Sequence, residues 1–270
     1  MMAKIRVVLV VAALATGCDT YRFLSGTIHE DAGRPVKAIR QYEAFLAGRP
    51  KDPRACEVRL RAAELYRTFF LRCSDAQHHY ETAARDFPHM TACADLAKAG
   101  LLKCPDYFPL EVGRTWVYVD SDTKGKSMRL DWELRKSSGA AGGVIITALY
   151  AGNKRIRESR EIYLKENWAL WRIDGPQREP LLRYPYGSGQ TWKAGGAKGK
   201  EWSVVASSVA VTVAAGAFAE CLKVKEHDLR YGKSWRYDYY CPGVGRVKTT
   251  VGGPGFENPN TELSRFGQAD

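Results

Sequence analysis

The side chains best placed for chemistry in this 270-residue chain are its seven cysteines. Cys18 stands apart near the N-terminus, directly after Ala15-Thr16-Gly17. Cys56, Cys73, Cys93, Cys104, Cys221 and Cys241 form an even set, the count expected of three disulfides in an oxidising compartment. Thiolate metal binding would call for CxxC pairs or a His at ligand spacing; neither is present, so no metal site is expected. Of the five His, only His78 and His79 are adjacent, and neighbours on a helix point about 100° apart. There is no GxSxG elbow, no HExxH, and no thiol left over to act as a nucleophile. Asp131 and Glu133 alternate with apolar residues, the pattern of a strand's wet face rather than of an acid/base pair. The expectation is a non-catalytic protein without cofactor.

The elements that must carry these cysteines begin with an export leader. Lys4 and Arg6 precede an apolar stretch running to Leu14, too short for a spanning helix and of signal-peptide length. The segment Leu14-Ala15-Thr16-Gly17-Cys18 resembles the lipobox of bacterial lipoproteins, with Ala15 where Leu is more usual. That resemblance implies cleavage before Cys18, acylation of Cys18, and a membrane-anchored protein of the cell envelope. An ordinary secretory leader with an incidental Cys is the alternative. Asp19 after the Cys marks inner-membrane retention in some enteric bacteria; the outer membrane is the expected address here, with the inner left open.

The formal net charge is +11, from 41 Lys+Arg and 30 Asp+Glu, and the excess is spread thinly over the chain. Lys154, Arg155, Arg157 and Arg160 are the densest cluster. An exported, anchored protein has no nucleic acid to meet, so anionic head groups or glycans are the alternative to a merely solvated strand face.

Two textures divide the remainder. From Tyr21 to Cys104 apolar residues recur at helical spacing, predicting helices over 20–31, 35–48, 52–70, 74–86 and 90–103. Beyond Pro105, which holds all seven Trp and ten of fourteen Tyr, β-branched and aromatic residues alternate with charge between Gly-rich turns. The domains expected are therefore a leader over 1–18, a helical domain over 19–104 and an antiparallel β half-barrel or barrel over 105–270, an α+β molecule of two domains. Strands are expected over Thr115–Val119, Met128–Lys136, Gly143–Tyr150, Arg157–Leu164, Trp168–Ile173, Glu201–Val213, Ala217–His227, Ser234–Cys241 and Arg246–Val251. A hairpin centred on Tyr231 puts Cys221 and Cys241, each ten residues away, opposite one another.

Ala38, Tyr42 and Pro50 recur 38 residues on as Ala76, Tyr80 and Pro88, with Gly26 twelve residues before Ala38. The pattern resembles the tetratricopeptide repeat (TPR), in which a small residue admits the paired helix, an aromatic fills the groove and Pro ends the helix. Glu64 stands where the second copy should have its small residue. The stacking this resemblance implies places Cys56 beside Cys93 and Cys73 beside Cys104. A 56–73 bridge would instead have to span a helix of roughly 25 Å against the ~6 Å a disulfide tolerates. Phe87-Pro88-His89 and the layout of lipidated Cys, linker and helix pairs look like the BamD-type envelope scaffolds. That likeness implies docking of envelope proteins on the repeats.

Tyr107-Phe108-Pro109-Leu110, Gly113, Trp116 and Tyr118, with Gly216, Phe218, Cys221 and finally Tyr239-Tyr240-Cys241-Pro242-Gly243-Val244-Gly245, resemble the opening and closing motifs of an uncharacterised β-rich domain of exported bacterial proteins. No reaction attaches to that domain. The leading expectation is a docking scaffold anchored through Cys18. Its alternative is a carrier or sensor, as LolA-like half-barrels are, holding a lipid or other apolar ligand in the β domain.

Overall fold

The computed structural model describes residues 20–137, 141–196 and 199–269. The chain divides between Cys104 and Pro105 into two compact units. The first holds five short helices: α1 (20–31), α2 (Pro35–Gly48), α3 (Ala55–Thr68), α4 (Cys73–Asp86) and α5 (Thr91–Leu101). Pro35 opens α2 at the position where its missing N–H costs nothing. Pro50 and Pro88 each lie just beyond a helix end. Ala38, Tyr42, Phe45, Ala62, Ala76 and Tyr80 are buried and make the core of this unit.

The α+β reading with a TPR-like repeat domain is corrected by this architecture. The molecule is mostly β, 46% strand against 27% helix. A solenoid needs at least three stacked repeats to bury a continuous core, and here the second copy does not repeat the packing of the first. Tyr42 lies on Gly26 of the helix before it, and Tyr80 on Gly100 of the helix after it. Glu64 is the reason: with no small residue there, the second Tyr turns to α5, while its hydroxyl donates to Glu64 Oε2 at 2.7 Å. Tyr42 donates to Glu30 Oε2 at 2.5 Å in the same manner. The 38-residue period therefore records two Tyr–Glu pairs in two helix hairpins, not a repeat array.

A Cβ built on Gly100 would sit 2.4 Å from the Tyr80 ring, and one on Gly26 the same distance from Tyr42. Gly100→Val is therefore expected to destabilise the helical unit by about 1–3 kcal/mol through overpacking. Gly187→Ala, in open space, should leave the thermal midpoint unchanged. Thermal denaturation followed at 222 nm checks both.

The second unit is one twelve-stranded antiparallel sheet rolled into a nearly closed barrel. Its strands are β1 (Arg114–Asp120), β2 (Met128–Ser137), β3 (Gly142–Ala151), β4 (Lys154–Glu166), β5 (Ala169–Asp174) and β6 (Gln177–Arg183). They continue as β7 (Thr191–Ala194), β8 (Lys200–Val213), β9 (Gly216–Asp228), β10 (Trp235–Cys241), β11 (Gly245–Gly253) and β12 (Phe256–Gln268). The spatial order is β6-β5-β4-β3-β2-β1-β12-β11-β10-β9-β8-β7: two meanders joined where β1 pairs with β12. The two ends of that order, β6 and β7, form the seam.

Three strands lie outside the nine expected from sequence. β6 contains Pro180, and the register slips beside it, between Leu170 and Trp171. β7 has only four residues. β12 carries Pro259, opposite Thr250 where the β11 ladder shifts register. β6 and β12 thus accommodate a proline at an edge or a bulge, and β7 is too short to show a period, which hides all three from a pattern search.

Candidate functional site

Period-2 alternation decides what faces the barrel interior. Trp116, Trp132, Thr147 and Ser159 are aligned across β1 to β4, and Trp116 and Trp132 are buried. The apolar floor contains Phe108, stacked on Tyr163 at 4.9 Å and on Trp116 at 6.2 Å. The opening and closing motifs meet there. Trp116 Nε1 donates to the Val244 carbonyl at 2.7 Å, and a Cβ on Gly245, whose φ is +106°, would lie 3.4 Å from that nitrogen. Leu134, Ile145, Leu170, Leu182, Leu222 and Val247 complete the floor. Trp116, Trp132, Trp192 and Trp202 thus fill a core.

Beside the floor runs a chain of alternating charges that joins both halves of the barrel. Arg246 on β11 reaches Asp238 Oδ1 on β10 at 3.8 Å. Arg236 donates to Asp238 Oδ2 at 2.9 Å and to Glu226 Oε2 on β9 at 2.7 Å. Lys200 on β8 links Glu226 at 3.1 Å to Glu179 on β6 at 2.7 Å, and Glu179 pairs with Arg172 on β5. The Lys200–Glu179 contact crosses the seam, as does the hydrogen bond from Trp192 Nε1 to the Pro180 carbonyl at 2.6 Å.

Burial alone would raise the pKa of Asp238, but Arg236 and Arg246 more than offset it and hold the carboxyl below its ordinary range. Glu179 is likewise held down, by Lys200 and Arg172 against its desolvation. Burial pushes the Tyr118 phenol up to about 12 and Tyr163 well above its usual value. Each tyrosine is thus a neutral donor, Tyr118 to the Arg246 carbonyl and Tyr163 to Glu161.

At the seam lies a cavity of about 340 Å³, a size typical of small-ligand sites, lined by Arg178, Glu179, Ala194, Lys200, Trp202 and Arg230. A broader trough of about 580 Å³ lies on the opposite face of β1 to β4 and β12. Asp131 and Glu133 line it, half-exposed and paired with Arg129 at 3.0 Å and Arg135 at 2.9 Å: a wet face, as their alternation implies. Lys154, Arg155, Arg157 and Arg160 are exposed on β4, with Arg155 tied to Glu158 at 2.8 Å.

The cysteines are joined as Cys56–Cys93, Cys73–Cys104 and Cys221–Cys241, with Cα separations of 6.4, 5.2 and 4.2 Å. The last pair closes the β9–β10 hairpin in the register centred on residue 231. Cys18 and the leader lie outside the described residues. Among the described residues no cluster of His, Cys, Asp and Glu could hold a metal ion. The charge chain is what sequence reasoning missed. Its one signal is that Arg236 and Asp238 share strand parity with the buried Tyr240, an inward register for charged residues.

No family model matches the chain, and no curated protein matches it. Among solved structures it is similar to a Bacteroides fragilis protein with a YmcC-like fold, assigned as exported. The identity is 16% and the TM-score 0.44, over 60% of this chain and 98% of that one. It is also similar to a Parabacteroides distasonis protein assigned as a lipoprotein, at 12% identity and a TM-score of 0.40, over the same shares.

Proposed function

We propose that this chain is an exported, lipid-anchored cell-envelope protein whose β unit acts without catalysis, as a carrier or sensor for an apolar or amphipathic ligand. Export is supported by the leader, by the lipobox-like segment ending in Cys18, and by the pairing of all six remaining cysteines. Anchoring through acyl chains on Cys18 makes the membrane its standing partner. Without a repeat array, the helical unit lends no support to a docking scaffold.

One observation carries the ligand reading: no backbone ladder pairs β6 with β7, and the 340 Å³ cavity lies at that gap. Trp202 and Ala194 offer it an apolar wall, and its rim is polar, with Arg178, Lys200 and Arg230 ion-paired to Glu166, Glu179 and Asp228. The apolar wall suits an acyl body, and the polar rim lets an amphiphile's head group pass the gap. Full-length protein extracted from membranes with Cys18 intact is expected to carry a non-covalent small amphiphile, seen as a second mass in native mass spectrometry. Its tryptophan emission should shift when decanoate is titrated into delipidated protein. A single bare mass together with unchanged emission would overturn the carrier reading.

A further inference from the structure

The barrel finds acceptors for three of its buried indoles: Trp116 Nε1 on the Val244 carbonyl, Trp192 on the Pro180 carbonyl and Trp202 on Glu226. Trp132 differs. It is 93% buried, yet its Nε1 has no partner. Directly opposite it on β3, the buried Thr147 Oγ1 is also unpartnered. Arg246 stacks over the Trp132 ring at 4.5 Å and the Tyr118 ring at 5.0 Å, and its Nε is a third buried atom without a partner. An indole N–H and a guanidinium N–H only donate, and the threonine hydroxyl can turn to donate. Two groups that can only donate and one hydroxyl thus lie unpaired in one part of the interior, at a cost of about 1–3 kcal/mol each.

The carboxylates nearby are already engaged. Asp238 accepts from Arg236 and from Thr249 at 2.7 Å, and Glu161 from Tyr163 at 2.7 Å. Two residues along the same face, Leu130 and Leu149 oppose each other, half-buried. They offer a surface to a chain attached to whatever the donors hold.

Resting on the carrier reading above, we propose that Arg246, Trp132 and Thr147 form an oxyanion site, which takes the carboxylate or phosphate end of the ligand. The oxyanion supplies the missing acceptors and meets a cation held in place by two aromatic rings. The experiment is calorimetric titration of delipidated full-length protein with decanoate, decanol and inorganic phosphate, for wild type, Trp132→Phe and Thr147→Val. Both variants keep shape and lose a donor; thermal melts confirm that they fold.

Decanoate is expected to bind wild type more tightly than decanol. Each variant should weaken decanoate roughly tenfold and leave decanol unchanged. Competition by phosphate would identify the site as one for free oxyanions as well, and no competition as one for a head group borne on a chain. Equal binding of decanoate and decanol, or decanoate binding unchanged in both variants, would overturn the proposal. If neither amphiphile binds, the carrier reading fails on its own. The oxyanion site then stands only if phosphate binds wild type and is lost in Trp132→Phe, and falls otherwise.

Discussion

Replacing Asp238 by Ala is expected to lower the stability of the β unit by about 3–5 kcal/mol, the usual cost of removing one partner from a buried ion network. Asp238 is 3% exposed and is the carboxylate that both Arg246 and the Nε of Arg236 address. Arg236 retains Glu226 after the change, but Arg246 keeps only the faces of Trp132 and Tyr118. The uncompensated charge is therefore that of Arg246. A second substitution, Arg246→Met, should recover much of the loss by removing that charge while keeping the volume. Urea denaturation of the two single variants and the double variant measures the coupling.

The same network sets the acid limit. Asp238 and Glu179 have pKa values below their ordinary range in the folded protein. The native state therefore holds fewer protons than the unfolded chain in acid. Their contribution is present in full above the unfolded carboxylate range and is lost as pH falls from about 4 through the folded values. Asp238→Ala should flatten this acid limb as well as lower the plateau. An unchanged limb would show that other carboxylates govern acid unfolding.

How much of this was legible follows from how each element is stabilised. A strand whose alternation is clean, such as the one expected over Met128–Lys136 and found over Met128–Ser137, stood out in the sequence, and so did the hairpin that joins Cys221 to Cys241, because its register depends only on distance from the turn. β12 did not stand out. It is held by neighbours on both sides, so tertiary pairing overrides its Pro259 and its three Asn and Gln side chains. The TPR resemblance failed for a local reason. Ala, Tyr and Pro at the same spacings specify a helix end and an aromatic plug, but which helix receives the plug depends on where the glycine lies, and here it is Gly100 rather than residue 64. The interior charges were the least legible. A charged residue on a strand is normally read as solvent-facing, and the partners that neutralise Arg236, Glu226 and Lys200 come from four different strands.

Reduction should separate the two units. In the helical unit, Cys56–Cys93 and Cys73–Cys104 close chain segments of 37 and 31 residues. The chain-entropy model assigns each bridge about 4 kcal/mol of stabilisation. Five short helices bury a small core, whose total stability is of the order of 5–15 kcal/mol at best. Losing both bridges removes most or all of that. The β unit loses one bridge, Cys221–Cys241, across 20 residues and worth about 3 kcal/mol. That bridge joins strands already paired by backbone hydrogen bonds and floored by Trp116, Tyr163 and Leu222. Full-length protein in dithiothreitol is therefore expected to lose helical ellipticity at 222 nm first, while near-ultraviolet signals persist, since all seven tryptophans lie beyond residue 105. Limited proteolysis should then cut before Cys104 and leave a resistant fragment beginning near Pro105. Simultaneous loss of both signals would show that the helices fold only with the barrel. Cys56→Ala with Cys93→Ala should reproduce half of the effect without reductant, and the difference between the two experiments isolates the contribution of Cys73–Cys104.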